Sequence, residues 1–167
     1  VPENFDARQK LAEIYEKLGD HNKAEQEYLE LGESAIEIDE LETAENFYRV
    51  LIEKYPKSIA GRDGLIALYE KTQNRTAVSR ECSILAEMLE TAGENDRAAA
   101  VLARAKEVNP KNVNIRDKIR QILIKAGRLD EAIEEIFCLA DLYHEAGDEP
   151  NVAKYLDEIK TLKPDDL

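Results

Sequence analysis

Prolines stand at positions 2, 56, 110 and 164, each 54 residues after the last, and only Pro150 lies outside the series. Proline lacks an amide hydrogen and crowds the residue before it, so a regular series of prolines cuts a chain into equal segments. Laid over itself at this offset, the chain brings Arg8, Arg62 and Arg116 together, and likewise Lys17, Lys71 and Lys125. Leu11 falls on Leu65 and Ile119, Leu31 on Leu85 and Leu139, and Gly93 on Gly147. The chain therefore reads as one domain, 1–167, made of three copies (1–54, 55–108 and 109–162) with KPDDL opening a fourth. The unfinished copy and the absent initiator Met point to a piece of a longer protein.

Each copy predicts three amphipathic helices. The chain is 43% hydrophobic with 7 Gly and 5 Pro, and it is rich in residues that lose little freedom in a helix. The first helix starts behind a capping residue, Asn4, Ser58 or Asn112, whose side-chain oxygen can accept from free first-turn amides. Its apolar stripe is Leu11, Tyr15 and Leu18 in the first copy and Ile119, Ile122 and Leu123 in the third. Two-residue breaks follow at Gly19-Asp20, Gln73-Asn74 and Gly127-Arg128. The second helix carries Ala24, Tyr28, Leu31, Gly32 and Ala35 and ends in a turn at Asp39; its later versions end at Gly93 and Gly147. The third runs on Ala44, Phe47, Tyr48, Leu51 and Ile52, or on their counterparts, and stops before the next proline. Gly64, where the other copies have Lys10 and Lys118, reads as a weak point of about 1 kcal/mol in its helix.

Windows 25–58, 79–112 and 133–166 share a pattern. A large residue (Tyr28, Cys82 or Ile136) precedes a leucine and a small residue (Leu31-Gly32, Leu85-Ala86, Leu139-Ala140). A second small position (Ala44, Ala98, with Val152 in the third window) precedes a large one (Tyr48, Leu102, Leu156) and a closing proline. This pattern resembles the tetratricopeptide repeat, in a bacterial-type array. Segments 17–28 and 125–136 resemble its inner turn as well, so the second helix belongs to two overlapping motifs. The resemblance implies an all-α, right-handed helical-repeat solenoid of about nine antiparallel helices. The 54-residue period departs from the family's 34. Three helices per copy leave open whether successive copies flip direction or one connection reverses the chain less tightly.

Little points to chemistry. His21, in a predicted turn, and His144, beside Glu145, are the only histidines, and neither has metal-ligand company. Cys82 and Cys138 sit in apolar helical patterns without a CxxC and read as buried free thiols. Gly61-Arg62-Asp63-Gly64 lies inside a helix and lacks the Lys-Ser/Thr of a phosphate loop. No enzyme, cofactor or metal is expected. There is no signal peptide and no apolar run long enough to span a membrane, so a cytoplasmic location is expected. A net charge of −13 argues against nucleic-acid and membrane partners.

A partner site is sought in residues that lie off the core stripe yet align across copies. On the second helices these are Gln26, Leu29, Glu33 and Glu37 in the first copy. The second copy places Arg80, Ser83 and Glu87 there, and the third Glu134, Phe137, Asp141 and Glu145. Spacings of three and four put each set on one helix face. The resemblance implies that this face lines a groove, here acidic with apolar spots at Leu29 and Phe137, for a basic or amphipathic segment of another protein. Alternatively, these carboxylates are neutralised by the aligned Arg8/Arg62/Arg116 or Lys17/Lys71/Lys125 rows. Two other functions compete: a spacer that self-associates through exposed ends, and an RNA-processing helical repeat, which the charge disfavours.

Overall fold

The computed structural model describes residues 5–163. The capping position Asn4, together with Pro2, Pro164 and most of KPDDL, lies outside them. Among the described residues there are nine α-helices and no strand. They are α1 (Phe5–Lys17), α2 (His21–Glu37), α3 (Leu41–Lys54), α4 (Ile59–Lys71), α5 (Arg75–Thr91), α6 (Asn95–Val108), α7 (Val113–Lys125), α8 (Leu129–Glu145) and α9 (Glu149–Leu162). Helices of 13, 17 and 14 residues thus follow one another three times.

The helix ends follow the chemistry of their residues. Ser58 Oγ accepts from the Gly61 amide (3.0 Å), and Asn112 Oδ1 accepts from Asn114 (3.1 Å) and Ile115 (3.2 Å), satisfying amides that a helix cannot pair internally. α3 and α6 stop ahead of Pro56 and Pro110. The breaks between first and second helices span three residues instead of two, because Leu18, Thr72 and Ala126 already leave the helix. Every turn inside a copy has one left-handed residue: Gly19, Gln73 and Gly127 in the first turn, Asp39, Gly93 and Gly147 in the second. A side chain is strained there, so glycine is the favoured occupant. His21 is the first residue of α2 and is not in the turn.

The chain divides into two compact units at Glu81/Cys82. In the first, α1 packs on α2, α2 on α3, and α4 on both α3 and α2. The core there comprises Ala24, Tyr28, Leu31, Ala35, Ala44, Tyr48, Leu51, Leu65, Ile66 and Leu68. In the second, α6 packs on α7, α7 on α8, and α8 on α9. Leu85, Leu89, Leu102, Ile119, Ile122, Ile136 and Leu139 fill that core. Each such large apolar side chain contributes about 2 kcal/mol by leaving water.

Two predicted stripes are corrected. On α1, Leu11 and Leu18 are 38% and 73% exposed, and Ala12 is the residue that is buried. Leu65, the column-mate of Leu11, is buried because α4 packs against two helices, whereas α1 packs against α2. On α9, Leu156 is exposed, while Tyr155 of the same predicted stripe is buried, stacked on Tyr143 with ring centroids 5.6 Å apart. The Tyr155 hydroxyl donates to Asp117 (2.9 Å). The cysteines are free thiols, but only Cys82 is buried; Cys138 is half-exposed.

An unanticipated column of glutamates ties first helices to second. Arg62 donates to Glu81 (2.9 Å) and Arg116 to Glu135 (2.7 Å), and Arg8 reaches Glu27 (3.3 Å) and Glu30. Glu81 and Glu135 are buried, and Lys106 adds a second cation at Glu135 (2.6 Å). Truncating one member of such a pair strands a buried charge and costs about 3–5 kcal/mol.

Candidate protein-binding groove

In the first unit a groove of about 500 Å³ opens between α2 and α4. Leu29, Glu33, Ile36 and Glu37 line it from α2, and Ala60, Asp63, Gly64 and Ala67 from α4, with Tyr48 of α3 at its base. Its shape follows from one aromatic side chain. Tyr48 is 1% exposed, and its ring wedges between the two flanking helices. A Cβ placed on Gly32 would meet the ring at 2.7 Å, and one on Gly64 would come closer still. Both glycines are therefore required by the ring. Gly64, read from sequence as a weak point, is a packing necessity whose absent side chain leaves the groove open. Burial, then the carboxylates of Glu33 and Asp63, push the Tyr48 hydroxyl up to about 12, so it stays neutral beside the groove.

The predicted site residues all lie at the surface. Gln26, Glu33, Glu37, Arg80, Glu87, Glu134, Phe137, Asp141 and Glu145 are exposed, and Leu29 and Ser83 half-exposed. The structure brings Leu29, Glu33 and Glu37 together along the groove. The acids of this set differ in how they are matched. Glu87 is bonded to Lys118 and Glu145 to Lys111 (2.7 Å), while Arg80 leans on its neighbour Glu81 (2.9 Å). Lys111 holds the Glu145 carboxyl below its usual range. Among the described residues Glu33, Glu37, Glu134 and Asp141 form no ion pair.

Internal neutralisation by the aligned basic rows is thus not what the structure shows. The arginine row serves the Glu27/Glu81/Glu135 column. Lys71 pairs with Asp39 and Lys125 with Glu90 (2.9 and 2.8 Å). That glutamate column was visible as three glutamates at one offset. The groove's α4 wall was not, because it is made largely of small residues that carry no chemistry. A second opening, of about 220 Å³ in the other unit, has three of its four acids matched internally: Arg128 holds Asp96 and Glu131, and Lys106 holds Glu135, while Glu134 has no ion pair among the described residues.

Among the described residues no group of histidine, cysteine or acidic side chains could hold a metal ion. None of the described helices is long and apolar enough to cross a membrane.

Short helices joined by turns of three or four residues and packed on their neighbours define a helical-repeat protein. Two family models, each described as tetratricopeptide repeat, match residues 5–31 and 28–58. Residues 5–58 thus match tetratricopeptide repeats, and the two matches overlap at residues 28–31, within α2. Among solved structures, the chain is similar to YrrB, described as a tetratricopeptide protein with an unusual peptide-binding site (16% identity, 99% of this chain and 95% of that one, TM-score 0.37). It is also similar to the Yersinia enterocolitica type III secretion translocator chaperone SycD (13%, 85% and 85%, TM-score 0.44). A third similar structure is a thermophilic tetratricopeptide protein of Thermus thermophilus (18%, 85% and 93%, TM-score 0.33). A search of curated proteins finds no match. Proteins of this family are protein-interaction scaffolds, typically without catalytic activity.

Proposed function

We propose that this chain is an interaction module that holds a basic or amphipathic segment of another protein on an acidic face of its second helices, carried by α2 in the first unit and by α8 in the second. The observation that carries this reading is the unmatched acid on those faces. Glu33, Glu37, Glu134 and Asp141 stand exposed without a cation among the described residues, while the aligned arginines are committed elsewhere. Leu29 and Phe137, the latter 51% exposed, add apolar contact beside the acids. Such a face repels anionic partners and steers cationic ones.

The test is binding of a fluorescent basic amphipathic peptide at low and raised salt, with an acidic peptide as control. Binding to the basic peptide that weakens with salt, and that disappears in Glu33→Lys/Glu87→Lys/Asp141→Lys while helicity is retained, is the expected result. Unchanged binding in the triple variant overturns the reading. Growth of mass with concentration in the absence of peptide would favour the second reading, self-association through the exposed Leu11, Ile14 and Leu18 of α1.

A further inference from the structure

We propose that the groove over Gly64 is a receptor for one lysine side chain of the partner, with Glu33 as its counter-ion. This rests on the basic-partner reading above and narrows it to a position.

The template is within the protein. At the 54-residue offset Gly64 corresponds to Lys118 and Glu33 to Glu87. In the second unit Lys118, carried on α7, extends its ammonium onto the Glu87 carboxylate of α5. In the first unit the same carboxylate is present and exposed, but the lysine is missing and no other described cation replaces it. Its neighbours are stripped as well: Asn114 and Gln121 of α7 become Ala60 and Ala67 on α4. The space that a lysine stem would cross is left open as the groove of about 500 Å³.

The chemistry of the groove matches that vacancy. Leu29, Ile36, Ala60 and Ala67 offer apolar surface to a methylene stem. Glu33 and Glu37 stand at the rim, where a terminal charge keeps contact with water. A point charge on a flexible stem suits a single carboxylate better than does the planar fork of arginine. The missing side chain cannot be restored from within, because the Tyr48 ring occupies the place of a Cβ at position 64. In the second unit Leu102 stands where Tyr48 does, and Lys118 fits.

The experiment is a titration of the 15N-labelled chain with tetralysine, and with its fully acetylated counterpart, at low ionic strength. Amide shifts at Glu33 and Gly64 are expected with tetralysine and not with the acetylated peptide. Glu33→Gln, which leaves the packing alone, weakens binding at this position about fivefold. Tyr48→Leu/Gly64→Lys supplies the lysine from within and abolishes the shifts at Glu33. Shifts confined to Glu134 and Asp141, binding at this position that is not weakened in Glu33→Gln, or shifts at Glu33 that persist in Tyr48→Leu/Gly64→Lys, overturn the lysine receptor and leave the wider acidic face standing. No tetralysine response on any second helix overturns both.

Discussion

The neighbourhood of Tyr48 and that of Leu102 solve one packing problem in two ways. In the first unit a tyrosine is accommodated by glycine on both sides, Gly32 and Gly64. In the second, the smaller Leu102 sits with Ala86 and Lys118 at the corresponding positions. The core is filled in both cases, since Tyr48 and Leu102 are each fully buried. The surface outcome differs. One arrangement leaves an open groove beside an unmatched glutamate; the other closes it with an internal ion pair. A change of side-chain volume in the core has become a change of chemistry outside it.

The first way to break this comparison is to add one carbon. By helix propensity alone, Gly32→Ala and Gly64→Ala would each stabilise the chain by about 1 kcal/mol. The ring of Tyr48 reverses the sign: each variant is expected to lose about 1–3 kcal/mol through overpacking. Adding Tyr48→Leu should restore most of the loss, giving a coupling of the same order in a double-mutant cycle read by denaturant unfolding. Stabilisation by either single alanine would mean that the ring does not occupy those places.

A smaller effect sharpens the comparison at the turns. Two of the six left-handed turn residues are not glycine, Asp39 in the first copy and Gln73 in the second. Asp39 is bonded to Lys71, so its replacement trades one contact for another. The Gln73 side chain has no such tie among the described residues, and Gln73→Gly should raise stability by up to about 1 kcal/mol by relieving the left-handed strain. A lowered melting temperature would count against that account.

The helices were legible because their signals are local: proline spacing, Ser58 and Asn112 as caps, and glycines at the turns all act within a few residues. The second-helix faces were legible for the same reason, since helical spacing alone puts Glu33 and Glu37 on one side. Three things were not legible. The stripe of Leu11 and Leu18 was read as core because periodicity reports amphipathicity without saying whether a neighbour packs against the apolar side. Gly64 was read by propensity, which knows nothing of a ring 16 positions earlier in the chain. The pairing of the arginine row depended on which of several carboxylates lies opposite, and that is a matter of how one helix rests on the next, as α7 does on α8, and not of spacing along either.

The central claim is that the Glu33 groove and the Glu87 ion pair are one site in two states, and Lys118→Gly tests it most directly. Removing that lysine should free Glu87 and make the second unit resemble the first. Titrated with tetralysine at low ionic strength, the labelled variant should show new amide shifts at Glu87 beside those at Glu33, with helicity preserved. A Glu87 amide that stays silent in a folded Lys118→Gly chain, while Glu33 responds as before, would contradict the claim.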